Sequence, residues 1–439
     1  MAKTFEVSRE LGTIAIAGRL NADCHHFMME AIRATQDQGF QELSFDVRRC
    51  DSAYPDGLVP LAATADWLRQ IGVGVSAVLP DLEIVRRLLL KTNVAYFLDP
   101  AQFASQAIQP DRHVQLRRFE TLGEQVAIVR DLVDVALRMT QWSRDVLQGF
   151  EWSINEVMDN VLNHANSPSG GFIQATTFSD RVAFTVADCG QGILASLREG
   201  YPGLRNDTDA IGEAVKAGVT RNPDKGQGNG LAGTLRIATQ SGGSFTVSSG
   251  RGILNVFHKP EDRTVNSKRL VLIPQQSIRG TIVSAQILRN AEFRMDEALG
   301  FTKAIGGQFD VIEAQYETED GTGFMIKLAQ ETTGFGSRMA GEQFRNKCLN
   351  LLNADPSKPL VIDWQGIPVI SSSFADESFG KLFVNLGPIG FAARVRNLNM
   401  EPLVRKLVDK AVVQRMAQAS ELLKPDDESP LPPPTNAEE

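Results

Sequence analysis

The chain has 439 residues, too many for one hydrophobic core and enough for roughly two to four domains. With 42% hydrophobic and 22% charged residues it has a globular composition, and its net charge of −8 lacks the basic field that bulk nucleic-acid binding needs. Its four cysteines, Cys24, Cys50, Cys189 and Cys348, form no CxxC pair, so a reduced chain without a structural zinc site is expected.

The opening MAKTFEVSRELG has no apolar signal core, and no run of about 18 apolar residues follows. No membrane contact and a cytoplasmic location are therefore expected. Residues 5–7 and 13–17 read as strands about a Leu11-Gly12 turn, 22–38 as a helix stopped by Gly39, and 42–47 as a strand. A helix at 57–70, a strand at 73–79 and a helix at 81–91 follow. This alternation predicts an α/β domain over residues 1–100. Gly18-Arg19-Leu20 after a strand, the strand Phe45-Asp46-Val47 and Asp56-Gly57-Leu58 opening a helix make it resemble a STAS domain, the module of anti-sigma-factor antagonists. Phosphorylated STAS domains carry a serine where Asp56 stands. Asp56 has two readings, helix N-cap or a carboxylate mimicking the phosphorylated state, and the cap is the simpler.

Residues 110–290 read as a second domain. Residues 114–119 read as a strand and 123–140 as a helix. The stretch Glu151-Trp152-Ser153-Ile154-Asn155-Glu156-Val157-Met158-Asp159-Asn160-Val161-Leu162-Asn163-His164 reads as another helix, with Ile154, Val157, Met158, Val161 and Leu162 on its buried stripe. Glu156, Asn160, Asn163 and His164 stand at i, i+4, i+7 and i+8, which puts them on one side of an α-helix. Such a row can hold a magnesium ion and orient a hydroxyl, or it can be a solvated face. Residues 172–178 and 181–187 read as a hairpin about Ser179-Asp180, running into Asp188-Cys189-Gly190-Gln191-Gly192. Two glycines after a strand allow close backbone approach to a ligand, and a strand-end aspartate can accept from an exocyclic amine. Lys225-Gly226-Gln227-Gly228-Asn229-Gly230-Leu231 then opens a helix at 232–238, where free N–H groups suit phosphate oxygens. No strand precedes these glycines, against a Rossmann site, and no GK[ST] occurs, against a P-loop. Residues 251–279 are long and charged and read as an extra hairpin or loop. Gly280-Thr281 precedes an apolar strand at 282–287.

Each motif is loose alone, but their order resembles the GHKL (Bergerat-fold, histidine-kinase-like) ATPases over about 170 residues. The resemblance implies ATP and Mg2+ as cofactors. Glu156 would be the catalytic base and Asn160 the magnesium ligand. Asp188 would read adenine with Thr281 in support. Gly190 and Gly192 would give close backbone approach, and Gly226, Gly228 and Gly230 would cover the phosphates as part of a lid over about 194–230. His164 matches a family position at the nucleotide, and Asn163 would stand behind it. Arg221 and Lys225 would neutralise phosphate or remain solvated. No upstream helix carries a phosphorylatable histidine, His113 lying in a strand pattern, so the anti-sigma-factor serine kinase branch is the nearer likeness.

Residues 295–420 read as a third domain, with strands at 309–314, 323–328, 360–364 and 391–395 and helices at 337–352, 374–386 and 401–417. Asp363 and Ser373 follow Asp46 and Asp56 at the same offset (363 minus 46 and 373 minus 56). Val361-Ile362-Asp363-Trp364 and Ser371-Ser372-Ser373-Phe374-Ala375-Asp376-Glu377 resemble a STAS-like domain that accompanies GHKL ATPases. Ser373 is then a helix cap or a phosphoacceptor, the cap being the simpler reading. Residues 424–439 are proline-rich and acidic and are expected to be disordered. The expectation is an α/β multidomain chain with a central Bergerat-fold sandwich between two STAS-like domains. It would bind ATP, hydrolyse it or pass its γ-phosphate to a protein hydroxyl, and act on a STAS or regulatory protein partner. A clamp-like ATPase with ATP-driven homodimers and a low-turnover scaffold are the alternatives.

Overall fold

The computed structural model describes residues 5–107, 114–216, 230–258, 264–295, 299, 315–331 and 334–422. The chain forms two compact units, Met1–Phe309 and Asp310–Glu439. It is a mixed α/β multidomain protein, as the alternation of elements predicts. Among the described residues no helix is long and apolar enough to cross a membrane.

The first unit holds two sheets. Strands β1 (Phe5–Glu10), β2 (Thr13–Leu20), β3 (Glu42–Asp46), β4 (Cys50–Ala53) and β5 (Gly74–Val78) make the first. Its order is β1-β2-β3-β5 with β4 also on β2, antiparallel only between β1 and β2. Helices α1 (Ala22–Asp37), α2 (Pro55–Gln70), α3 (Glu83–Lys91) and α4 (Val94–Leu98) accompany it. Strand β4 and helix α4 were not anticipated; each is too short to show a period.

Helix α2 lies between the two sheets. Leu58, Val59, Leu61, Ala62, Ala63, Ala65 and Leu68 are buried and lie all round it rather than on one stripe. A helix apolar on every side must be covered on every side. One side packs on the first sheet, and the other packs on β7 (Gly171–Thr177) and β8 (Arg181–Asp188) of the second. Phe172, Ala187, Cys189 and Ile282 consequently share one apolar core with Ile14, Phe45 and Leu58.

The second sheet is antiparallel throughout. Besides β7 and β8 it contains β6 (Arg117–Phe119), β9 (Ser244–Gly250), β10 (Gly252–His258), β11 (Val265–Val271) and β12 (Ile278–Leu288). Its order is β11-β10-β9-β12-β8-β7-β6. The segment read as an extra hairpin or loop is the β10–β11 hairpin, and β9 before it was not anticipated. Opposite α2, the sheet is covered by α5 (Leu122–Met139), α6 (Arg144–Asn160) and α9 (Gly230–Gln240), with Phe150 of α6 edge-on to Phe184 at 6.0 Å. Every residue of β7 is buried, because both faces of the sheet are occupied. Short helices α7 (Gly192–Arg198) and α8 (Asp207–Ala214) follow β8.

The second unit has a parallel sheet of β13 (Phe324–Lys327), β14 (Leu360–Asp363) and β15 (Val395–Leu398). Its helices are α10 (Leu328–Glu331), α11 (Arg338–Ala354), α12 (Ser372–Ala375), α13 (Lys381–Arg394) and α14 (Pro402–Leu422), with a π turn at Asp376–Gly380. The strand expected at 391–395 is corrected. Gly387 breaks the helix at φ 70, Pro388 restarts it, and it runs on to Arg394 before β15 begins. The strand expected at 309–314 and the tail 424–439 lie outside the described residues.

The internal repeat has a local physical form. Asp46 ends β3 and Asp363 ends β14, each the middle strand of a parallel trio. Each carboxylate accepts from the backbone N–H two residues on, Arg48 and Gln365, at 3.0 Å.

Buried charge sets a stability prediction for the second unit. Glu377, 5% exposed, accepts from Arg345 at 2.5 Å and Lys381 at 2.8 Å. Glu377→Ala would leave the buried Arg345 guanidinium with only Glu342, 3.9 Å away, and is expected to cost roughly 3 kcal/mol. A fall in denaturation midpoint larger than that of Glu342→Ala, at the exposed neighbour, is the expected readout.

Candidate functional site

Helix α6 starts seven residues before the stretch that drew attention, because Ser143 caps it by accepting from Val146 N at 3.4 Å. Phe150, Ile154, Val157 and Met158 are buried, and Glu156 and Asn160 are half-buried. The first residue of α9 packs on both of them. A Cβ at Gly230 would lie 2.5 Å from Glu156 Oε2 and 3.5 Å from Asn160 Nδ2. A Cβ here would have to push the Glu156 carboxylate aside, a shift that its flexible side chain can make. Burial, and then the charge of Asp159, push the Glu156 carboxyl up to about 7.

After Asn160 the helix widens into a π turn, Val161–Ala165, that ends at left-handed Asn166. The reading of one continuous helix face therefore holds from Glu156 to Asn160 and is corrected beyond it, since i→i+5 bonding rotates Asn163 and His164 away from α-helical register. The π turn has its own task. The His164 and Ala165 carbonyls accept from Gln191 Nε2 and Gln191 N, both at 2.8 Å. The end of α6 is thereby tied to the glycine loop after β8.

Alternation along β8 decides which way Asp188 points. Phe184 meets Phe150 of α6, while Ala187 and Cys189 join the core around α2. Asp188, two and four positions from Val186 and Phe184, faces the α6 layer. Thr281 stands opposite it in β12 and shares its face. Asp188 is buried, and its Oδ1 accepts from Gly190 N at 2.8 Å. Burial pushes its carboxyl up to about 7 against the lowering effect of the Gly190 and Thr281 N–H groups. Thr281 thus helps through its backbone, while its hydroxyl donates to Ser249 Oγ at 3.4 Å.

Ser249 escaped the sequence reading along with its strand. It is buried, accepts from Ile193 N at 2.9 Å and donates to the Gly280 carbonyl at 2.9 Å. It binds the glycine loop to the start of β12. A Cβ at Gly192 would lie 2.8 Å from its Oγ. The signal that could have revealed it is the period-two pattern of Ser244–Gly250.

The structure brings Glu156, Asn160 and Gly230 together, and separately Asp188, Gly190, Gly192 and Thr281, with the His164 backbone between the groups. Gly226, Gly228, Arg221, Lys225 and His113 lie outside the described residues. Among the described residues no cluster of three or more His, Cys, Asp or Glu side chains forms a metal cage. Gly190 also has a packing duty, since its Cβ would sit 2.0 Å from the Ala165 carbonyl oxygen. Gly190→Ala is expected to lower stability by about 2 kcal/mol through overpacking, read as a lower melting temperature.

Two caps are corrected. Asp56 is the second residue of α2, whose cap position is Tyr54, because Pro55 takes the first helical place. The Asp56 carboxyl is pushed up to about 6 by burial and also faces the Ala22 N–H at the start of α1. Ser373 is likewise the second residue of its helix. Ser371 is the cap, accepting from Phe374 N at 3.0 Å.

Residues 340–402 match the family described as a STAS-like domain of unknown function (DUF4325). Over 220 residues the chain is 28% identical to Sensor histidine kinase Hik2 of Synechocystis sp., a match covering 50% of this chain and 44% of that protein. The chain thus spans less than half the length of this relative. Together these matches support a histidine-kinase-like region joined to a C-terminal STAS-like domain, and neither points to the anti-sigma-factor serine kinase branch.

Proposed function

We propose that the chain is an ATP-binding regulatory protein whose Glu156 directs the γ-phosphate to water or to a protein hydroxyl. The observation that carries this reading is the approach of Gly230 to Glu156 and Asn160. It sets the glycine that opens the described part of α9, a carboxyl near neutral pKa and the Asn160 carboxamide around one point. These are the groups that a magnesium–triphosphate needs, and the glycine contact is a cradle that any Cβ would fill. Asn160 would hold magnesium together with the phosphates; the ion, when bound, neutralises phosphate charge. Asp188 would accept from the adenine amine. Glu156 would take the proton of the attacking hydroxyl or water. Likeness to a sensor histidine kinase supports a kinase-like regulatory role, and the STAS-like domain supports a protein partner.

Incubation of the full chain with γ-labelled ATP and magnesium tests this reading. Because Ser371 does the capping, Ser373 is the acceptor to replace. Labelled protein that disappears in Ser373→Ala identifies an internal acceptor. Free phosphate with unlabelled protein identifies a hydrolase, and nucleotide-dependent dimers would then make it a clamp. Failure of the wild type to bind ATP overturns the reading.

A further inference from the structure

The glycine loop has a second neighbour, a cavity whose lining includes none of Glu156, Asn160 and Asp188. Residues 190–192 and 277–280 border a cavity of about 490 Å³, whose other walls include Met29, Arg33 and Gln36 of α1 and Trp67 of α2. This size lies within the range of ligand sites, about 300–1,000 Å³. Its chemistry is one-sided. Arg33 donates to the Gln275 and Ser277 carbonyls, and Arg279 donates from Nε to the Cys189 carbonyl at 3.1 Å. Arg279 also lies over the Trp67 ring, 4.8 Å from its centroid. Among the described residues, neither guanidinium is ion-paired. The indole Nε1 of Trp67 is buried with no hydrogen-bond partner. The acidic wall residue, Asp207, already accepts from the Arg251 N–H at 3.0 Å. Burial pushes the Arg33 guanidinium below its ordinary value. Arg33, with Asp37 nearby, and the exposed Arg279 thus bring two cationic donors to one space, and charge-assisted hydrogen bonds favour acceptor oxygens there.

We infer that this cavity is a second ligand site, which takes a small polyanion rich in acceptor oxygens, a polycarboxylate or a phosphate, through Arg33 and Arg279. Asp188 is not among its lining residues. Its walls include Gly190, Gly192 and Gly280, which hold Asp188 and Thr281 in place, so occupancy would alter nucleotide affinity. Only this last clause rests on the nucleotide reading.

Calorimetric titration of the full chain, without ATP or magnesium, tests direct binding. Citrate and pyrophosphate are the probes, so that a carboxylate and a phosphate preference are told apart. At least one is expected to bind more tightly than ~1 mM. Gln36→Glu adds an anion at the wall without touching the arginine contacts, and is expected to weaken binding by at least ~10-fold at unchanged melting temperature. Arg279→Gln is expected to weaken it as well, and Asp188→Asn to leave it intact. Failure of both probes to bind, or indifference to Gln36→Glu, overturns the inference. Loss of binding in Asp188→Asn with retention in Arg279→Gln also overturns it, by making the cavity a lobe of the nucleotide site.

Discussion

Glu156→Gln is expected to lower phosphate release by roughly 100- to 10,000-fold while ATP affinity changes by less than about 3-fold. The substitution keeps size and shape, so the close contact with Gly230 survives. It removes the one property the chemistry needs, a lone pair that can take a proton near neutral pH. The wild-type carboxyl sits at about 7, so its rate should rise with pH through that value as the carboxylate forms. The glutamine variant should show a flat profile. Single-turnover phosphate release and equilibrium binding of a fluorescent ATP analogue separate the two effects. A variant that retains a wild-type rate removes Glu156 from the chemistry and leaves the cluster a packing feature.

How much of this was legible depends on the range of the forces involved. The β7–β8 hairpin and α6 are set by local alternation and 3.6-residue periodicity; the hairpin stands where the pattern placed it, and α6 does so from Glu151 to Asn160. Gly190 and Gly230 were legible as glycines, but their partners Ala165 and Glu156 were visible only in three dimensions. The π turn was not legible. It is imposed by the Gln191 side chain and backbone, which capture the carbonyls of His164 and Ala165 from 26 residues or more away in sequence. Ser249 stayed hidden because the alternation of its strand rests on Phe245 and Val247 alone and gives way to small polar residues at Ser248 and Ser249. Caps failed for a different reason. Several adjacent residues can cap, and the geometry of entry chose Ser371 over Ser373.

The α2 signal was present and was read too narrowly. Residues 57–70 contain small apolar residues on all sides, which a one-sided surface helix would not need. They predict a middle layer, and the structure uses α2 as one. The consequence for function is mechanical. The face of β8 that carries Ala187 and Cys189 belongs to the N-terminal core, and the opposite face carries Asp188. A shift of α2 has to move the strand that holds Asp188, because close-packed interiors transmit displacement.

The second large effect is expected at Asp188 itself, where stability and recognition should move in opposite directions. Burial raises its carboxyl from the ordinary aspartate range to about 7 in the folded chain. For a raised pKa, the favourable contribution is full below the unfolded value of about 4 and is lost as pH rises through the folded value of about 7. Above that pH the protein holds a buried carboxylate at a cost of up to about 4 kcal/mol. Asp188→Asn removes the charge and keeps an oxygen for Gly190 N. Without nucleotide, the variant is therefore expected to melt higher than wild type at pH 8, and the difference should shrink towards pH 4. Glu156 and Asp56 are also raised by burial, but both are present in each protein and cancel in the comparison. ATP binding should show the reverse. If the carboxamide oxygen serves Gly190, its NH2 group faces the adenine amine, donor against donor, and affinity is expected to fall by ~100-fold or more. Melting curves across pH and ATP titrations at pH 8 give both readouts from one pair of proteins. Equal melting temperatures at pH 8 would mean the Asp188 carboxylate is solvated rather than buried. Unchanged ATP affinity would move adenine recognition away from this face of β8.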